Sequence, residues 1–202
     1  MNSEIPQMEP CFGDEEKQAI TEYMDEGGWL TEFQKTKQFE EMIATFTGSR
    51  HCIVVNNGTI SLTLIALVAG IKEGDEIIVS HLEHHSNIVP WQMLCEKTGA
   101  KMLVIPMNDK GELDLNKFSK ILSKRTKVVF VNHVSNALGT INPIEEIINK
   151  AHEVGAEVLI DGAQASPHIK ADLQSLNVDY YVTSAHKICG PTGIGILYGK
   201  EN

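Results

Sequence analysis

Apolar residues recur along this chain in two rhythms, and each rhythm marks a different kind of element. From Gly13 to Glu26 the pattern predicts a helix opened by Asp14 and closed by Gly27 and Gly28, glycines that take the positive φ a helix end needs. A second helix is expected from about Thr31, where Phe39, Met42, Ile43 and Phe46 fall at i, i+3, i+4 and i+7 and form one apolar stripe, with Gly48 ending it. Beyond Gly48, short β-branched runs alternate with helical patterns, as in parallel strands joined by crossover helices. Seven strands are predicted: His51 to Val55, Glu76 to Ser80, Lys101 to Pro106, Lys127 to Asn132, Glu157 to Ile160, Tyr180 to Ser184 and Ile194 to Gly199. Several are apolar on both faces, as buried parallel strands are. Between them, Leu62, Ile65, Ala66 and Ala69 form one helical stripe and Ile144, Ile147, Ile148 and Ala151 another. The latter carries its own start signal, with Asn142 as cap, Pro143 at the first helical position and Glu145 completing a capping box. No repeat or linker-like run interrupts Gly48 to Gly199, so a helical segment over 1–48 and one α/β domain over 49–202 are expected.

Composition narrows the range of partners. The 202 residues carry 17 Lys and Arg against 27 Asp and Glu, a net charge of −10, and such a surface repels phosphate backbones and anionic lipid. Nucleic acid is excluded as a partner on that ground. The run Ile60 to Ile71 is broken by Ser61, Thr63 and Gly70 and falls short of a membrane span, and Met1 to Pro10 has no basic-then-apolar leader pattern. A cytoplasmic protein without membrane contact is the expectation. The cysteines, Cys11, Cys52, Cys95 and Cys189, are spread without a C-x-x-C pair, which predicts reduced thiols.

In an open sheet of this kind ligands lie beyond the carboxyl ends of the strands, and the unusual residues of this chain cluster there. Asn56-Asn57-Gly58-Thr59 leads from the first strand into a helix whose free N–H groups and dipole favour an anion; the plainer reading is a turn with Thr59 as cap. His81-Leu82-Glu83-His84-His85 follows the second strand. Its imidazoles suggest a metal, but the segment is not clearly helical and no other Cys or His cluster completes a tetrahedral set, so no metal is expected. An imidazole stacked on a planar cofactor is the better functional reading, and a solvated loop histidine the plainer one. The fifth strand ends in Asp161-Gly162-Ala163-Gln164, a carboxylate whose burial needs a cation or several donors; a pyridinium nitrogen is such a cation, and a helix N-cap is the alternative. The sixth ends in Thr183-Ser184-Ala185-His186-Lys187. Shielded from water and near a cationic ring, Lys187 would be a nucleophilic amine of lowered pKa, and otherwise an ordinary exposed lysine. Gly190-Pro191-Thr192-Gly193-Ile194-Gly195 has a superficial likeness to a nucleotide loop, yet a strand follows it where the dinucleotide fingerprint needs a helix.

Taken in order, NNGT, EHHSNIVPWQ, HVSNALGT, DGAQA and SAHKICGPTGIGILYG resemble the pyridoxal 5′-phosphate enzymes of fold type I, and from Glu76 to Gly199 the cysteine desulfurases of the SUF iron–sulfur pathway. The resemblance implies a three-layer α/β/α large domain with a mostly parallel seven-stranded sheet. It implies Lys187 as the Schiff-base lysine, Asp161 as partner of the pyridine nitrogen, His84 stacked on the ring and Gln164 at the phenolic oxygen. Ser184 and His186, with Gly58 and Thr59, would hold the phosphate, and Asn136 would lie by the substrate or the ring. The implied substrate is L-cysteine, and the implied assembly a homodimer, because fold type I sites are shared between subunits.

Two departures qualify that picture. The run GGWLTEFQKTKQFEEMIATFTGSRHCIVVNNGTISLTLIAL resembles the DegT group of sugar aminotransferases, so Met1 to about Val79 is similar to one family and the remainder to another. A hybrid joined near the second strand is the expectation. Both families also continue well past Gly199, and in the desulfurases that continuation holds the sulfur-accepting cysteine and the arginine that grips the substrate carboxylate. Cys189, two residues from Lys187, is no obvious substitute for the former. Three readings follow: an incomplete cysteine desulfurase domain, a transaminase acting on a keto sugar, or a catalytically silent scaffold.

Overall fold

The computed structural model describes residues 12–27 and 34–200. Gly28, Thr31 and Cys11, to which the sequence assigned a helix end, a helix start and a thiol, lie outside the described residues. The chain divides into two compact units, Met1–Phe39 and Glu40–Asn202. In the first, helix α1 (Asp14–Asp25) begins one residue after its cap: the Gly13 N–H donates to Glu16 Oε2 at 2.7 Å, and three acids occupy the first turn. Gly27 follows at φ 68°. Helix α2 (Gln34–Thr47) spans the division and ends at Gly48, φ 67°. Its expected stripe is only partly realised. Phe39 and Ile43 are half-buried, but Met42 and Phe46 are 69% and 81% exposed. Within the second unit the end of α2 is held by polar bonds instead, Glu40 Oε1 accepting from the Val54 N–H and Gln174 donating to the carbonyl of Gly48.

The second unit is built on seven strands, β1 (Ile53–Val55), β2 (Glu76–Ser80), β3 (Lys101–Ile105), β4 (Thr126–Asn132), β5 (Glu157–Asp161), β6 (Tyr180–Ser184) and β7 (Gly195–Gly199). Their order across the sheet is β1-β7-β6-β5-β4-β2-β3. All pairs are parallel except the two made by β7, which runs against β6 and β1. A crossover helix precedes each parallel neighbour, whereas only a 3₁₀ turn, Ala185–Lys187, and a short loop separate β6 from β7, so the chain doubles back. The first strand is two residues shorter than expected, because His51 and Cys52 lie outside the ladder at the sheet's edge.

Alternation along the central strands fills both faces. Ile77, Val79, Val128, Phe130 and Leu159 pack with Leu62 and Ile65 of α3 (Gly58–Val68) and Trp91 of α4 (His85–Thr98). Ile78, Val129, Val131, Val158 and Ile160 pack with Phe118 of α5 (Leu115–Ile121) and with Ile147, Ile148 and Ala151 of α6 (Ile144–Glu153). A short α7 (Leu173–Leu176) adds Leu173 to that second layer. Helix α6 starts at Ile144 with Pro143 as its cap, one residue later than expected. Asn142 does not cap it: the side chain is buried and donates to the carbonyl and Oδ1 of Asn132 at 2.8 and 2.6 Å, tying the helix start to the end of β4. Among the described residues no helix is long and apolar enough to cross a membrane, and Cys52, Cys95 and Cys189 are free thiols.

Candidate active site

The carboxyl ends of β2, β4, β5 and β6 open onto a cavity of about 320 Å³. Each of the nine residues singled out in the sequence contributes to its wall: Gly58, Thr59, His84, Asn136, Asp161, Gln164, Ser184, His186 and Lys187. They come from five separate segments, which only the strand order brings together. A larger groove of about 830 Å³ runs along α6 and residues 169–176, and it contains none of them.

One side of the cavity is the start of α3. Asn57, not Thr59, is the cap, its Oδ1 accepting from the Ile60 N–H at 2.9 Å. The turn passes so close to its neighbours that two glycines are required. A Cβ on Gly58 would meet Ser184 Oγ at 2.6 Å, and one on Gly195 of β7 would strike the Asn57 backbone at 2.3 Å. The result is a cradle in which helix N–H groups, the Thr59 side chain and the Ser184 hydroxyl face one space, a setting suited to an anion.

The rest of the wall carries the titratable groups. Lys187 ends the 3₁₀ turn after β6, and its Nζ donates to Gln164 Oε1 at 3.2 Å. It is exposed, as is His186, the plainer of the two readings the sequence left open, because the turn stands above the last ladder bond of β6 at the cavity's rim. Asp161, the last residue of β5, is half-buried and takes one neutral donor on each oxygen, the Ala163 N–H at 2.8 Å and Asn87 Nδ2 at 2.7 Å. His84 caps α4, so the segment around it turns helical at once: its Nδ1 accepts from the Ser86 N–H at 3.3 Å, and its ring leans on His85 with centroids 4.1 Å apart. Burial, and then the neighbouring His85, pull the His84 pKa below its ordinary value. Asn136 sits exposed on the turn after β4. Cys189 is exposed with φ 64°, in the left-handed region. Among the described residues no group of three or more His, Cys, Asp or Glu is placed to hold a metal.

Two residues of this region were not foreseen. Glu83 lies just past β2, and its enclosed carboxylate accepts from Ser80 Oγ at 2.5 Å and the Asn132 N–H at 2.8 Å on one oxygen, and from Asn87 Nδ2 at 2.9 Å on the other. Burial raises its pKa from 4.5 to about 7 against the opposing pull of those three donors. Asn87, fully buried, thereby donates to two carboxylates at once. The spacing of Glu83 and Asn87, four residues apart at a helix start, was the available signal, and the histidines between them drew attention away.

Lys187 and Asp161 facing one cavity, beside a cradle kept open by absent Cβ atoms, fit a flat, cationic ring bearing a phosphate. Known proteins resemble this chain in sequence and fold. A cysteine desulfurase of Synechococcus elongatus is 51% identical over 152 residues, which take in 74% of this chain and 24% of that protein. One from an Enterobacter species is 46% identical over 175 residues, covering 84% of this chain and 43% of the other. The chain thus spans less than half the length of these curated relatives. Among solved structures, the cysteine desulfurase CsdA of Escherichia coli superposes with a TM-score of 0.76 at 34% identity, over 86% of this chain and 46% of that one. The apo desulfurase of Thermococcus onnurineus NA1 also gives 0.76, at 40% identity, over 80% and 42%. The fold is accordingly the α/β architecture of the fold type I transferases. Residues 23–202 match the aminotransferase class-V family, and the chain belongs to it.

Proposed function

We propose that this chain is the cofactor-binding portion of a cysteine desulfurase, which takes pyridoxal 5′-phosphate and draws sulfur from L-cysteine. The observation that carries the reading is the meeting of Lys187, Asp161 and the start of α3 on one cavity. Residues 49–202 form the large domain in this reading, and 1–48 a helical segment preceding it. Gly58, Thr59, Ser184 and His186 would hold the phosphate, where the α3 dipole favours negative charge. Asp161 would meet the ring nitrogen, His84 would lie over the ring face, Gln164 would contact the phenolic oxygen, and Asn136 would lie by the ring or the substrate.

When bound, the cofactor supplies an electron-poor ring able to take up the electron pair left at the substrate α-carbon. The chain's own residues position and move protons. Lys187 Nζ, released from Gln164, takes the proton from the substrate α-carbon. Asp161 would face the ring nitrogen and favour a proton there. The two groups work only because the strand ends hold both on one cavity before substrate arrives.

A visible spectrum after adding pyridoxal phosphate tests the assignment. Wild type should show the absorbance band of lysine-bound cofactor and Lys187→Ala should not; an equal band in both would sink it. Sulfide and alanine released from cysteine support the desulfurase, and the band without them supports a silent scaffold. A second reading, amine transfer from glutamate to a keto sugar, rests on the run from Gly27 to Leu67; the class-V match takes in the same residues. With it goes a hybrid junction near β2, which a natural gene running through both halves would remove. A cytoplasmic homodimer completes the proposal. It is supported by apolar side chains left open on α3 and α4, with Leu67, Val68 and Met93 at 70%, 71% and 65% exposure. Sedimentation as a monomer would count against the dimer.

A further inference from the structure

Glu83, Asn87 and Asp161 form a chain of three side chains linking the ends of β2, α4 and β5. Asn87 Nδ2 is the shared link, 2.9 Å from Glu83 Oε2 and 2.7 Å from Asp161 Oδ2. Both its protons are thereby used, and its Oδ1 is buried without a partner among the described residues. An amide left with an unsatisfied buried oxygen is held in that orientation against its own preference, since a buried acceptor without a donor is costly. What holds it is Glu83, which is anchored in turn by Ser80 Oγ and the Asn132 N–H. Without a carboxylate at 83, the amide could turn and present its oxygen to Asp161.

Resting on the function proposed above, we infer that Glu83 and Asn87 are positioning residues, which aim Asp161 and keep it a weak base so that the proton between it and the cofactor's ring nitrogen stays on the ring. The physical reason is the donor count. Each Asp161 oxygen receives one neutral N–H, and every donor to a carboxylate lowers its appetite for a proton. Withdrawing the Asn87 donor frees the carboxylate to rotate and strengthens it as a base, so the proton moves from ring to acid. A lone Asp at a strand end would supply the charge but neither the angle nor that balance.

The test uses pyridoxal phosphate labelled with ¹⁵N in the ring, bound to wild type, Asn87→Leu and Glu83→Gln. In wild type the ring ¹⁵N resonance should lie at the protonated position. In Asn87→Leu it should move toward the unprotonated one, with cofactor affinity about tenfold weaker, the loss of one hydrogen bond to a charged group. Glu83→Gln, which replaces an acceptor facing Asn87 by a donor, should shift the resonance the same way by a smaller amount. A core truncation away from the cavity, Phe118→Leu, should lower the melting temperature and leave the resonance where it was. A resonance unmoved in both Asn87→Leu and Glu83→Gln, with the cofactor bound, would overturn the inference while sparing the proposed function. Failure of wild type to bind the cofactor would overturn both.

Discussion

The two ends of the sheet treat their carboxylates in opposite ways. At the amino edge Glu76, 5% exposed, has a cation, accepting from Arg125 Nη2 at 2.6 Å and from Ser123, while Asp179 accepts from His152 Nε2 and the Val158 N–H, both at 2.7 Å. At the carboxyl edge Glu83 and Asp161 meet only neutral donors, and neither forms an ion pair among the described residues. The consequence shows in their titration. The Ser123 hydroxyl bond, with Arg125 beside it, holds Glu76 below the usual carboxylate range, whereas burial lifts Glu83 to about 7. A pair closed on itself serves stability, whereas Asp161, which has no cation and lines the cavity, is available to a ligand that brings one.

Substitutions at the two ends should therefore fail differently. The largest effect is expected at Asp161: Asp161→Asn should weaken pyridoxal phosphate binding by about 3 kcal/mol, roughly a hundredfold. The melting temperature without cofactor should not fall. Loss of stability without loss of affinity would erase the contrast.

Next comes Glu83. Its folded pKa lies above the unfolded value of 4.5, so the native state holds this proton more tightly than the unfolded chain. The contribution is complete below the unfolded pKa and disappears as pH rises through about 7. Denaturant melts at about pH 5 and pH 8 should differ by about 2 kcal/mol on this account, and Glu83→Gln should flatten the slope. A slope identical in the variant would remove Glu83 as its source.

Arg125→Met should cost about 1 kcal/mol, or about 3 °C in melting temperature, since the guanidinium lies close to water and the bond is screened. Its sign in pH is the reverse of Glu83's: the stability contributed by Glu76 is present above the unfolded carboxylate pKa and lost as acid protonates the folded group. Cofactor affinity should not change. Smallest of all, Lys150→Ala breaks an exposed pair with Glu146, 2.8 Å long, and should alter stability by less than about 0.5 kcal/mol. A larger loss would mean that surface pairs on α6 matter more than the amino-edge network.

Much of this could be read without coordinates where the physics is local. Strands buried on both faces appear as unbroken apolar runs, which is why β2, β4 and β5 were legible to within a residue. Readings failed where a side chain had a distant competitor. Asn142 was expected to cap α6 but is drawn to Asn132, ten residues back on β4. The apolar stripe read on α2 is covered only in part, with Met42 and Phe46 exposed. Whether Lys187 is shielded stayed open in the sequence, and it stands exposed at the rim, because shielding depends on what packs above a turn and no periodicity encodes that.

The sequence by itself determined which strands form, that they lie in one sheet, and that an anion-binding helix start, a carboxylate and a lysine each follow a strand. Those properties arise from side-chain periodicity and from residues adjacent along the chain. Only the tertiary structure decided that β7 turns back between β6 and β1, closing Gly195 against Asn57. It also decided that Asn87 reaches Asp161 across 74 positions of sequence. A hydrogen bond of that reach depends on strand order and register, which are set by how the whole core packs and not by any neighbour in the chain.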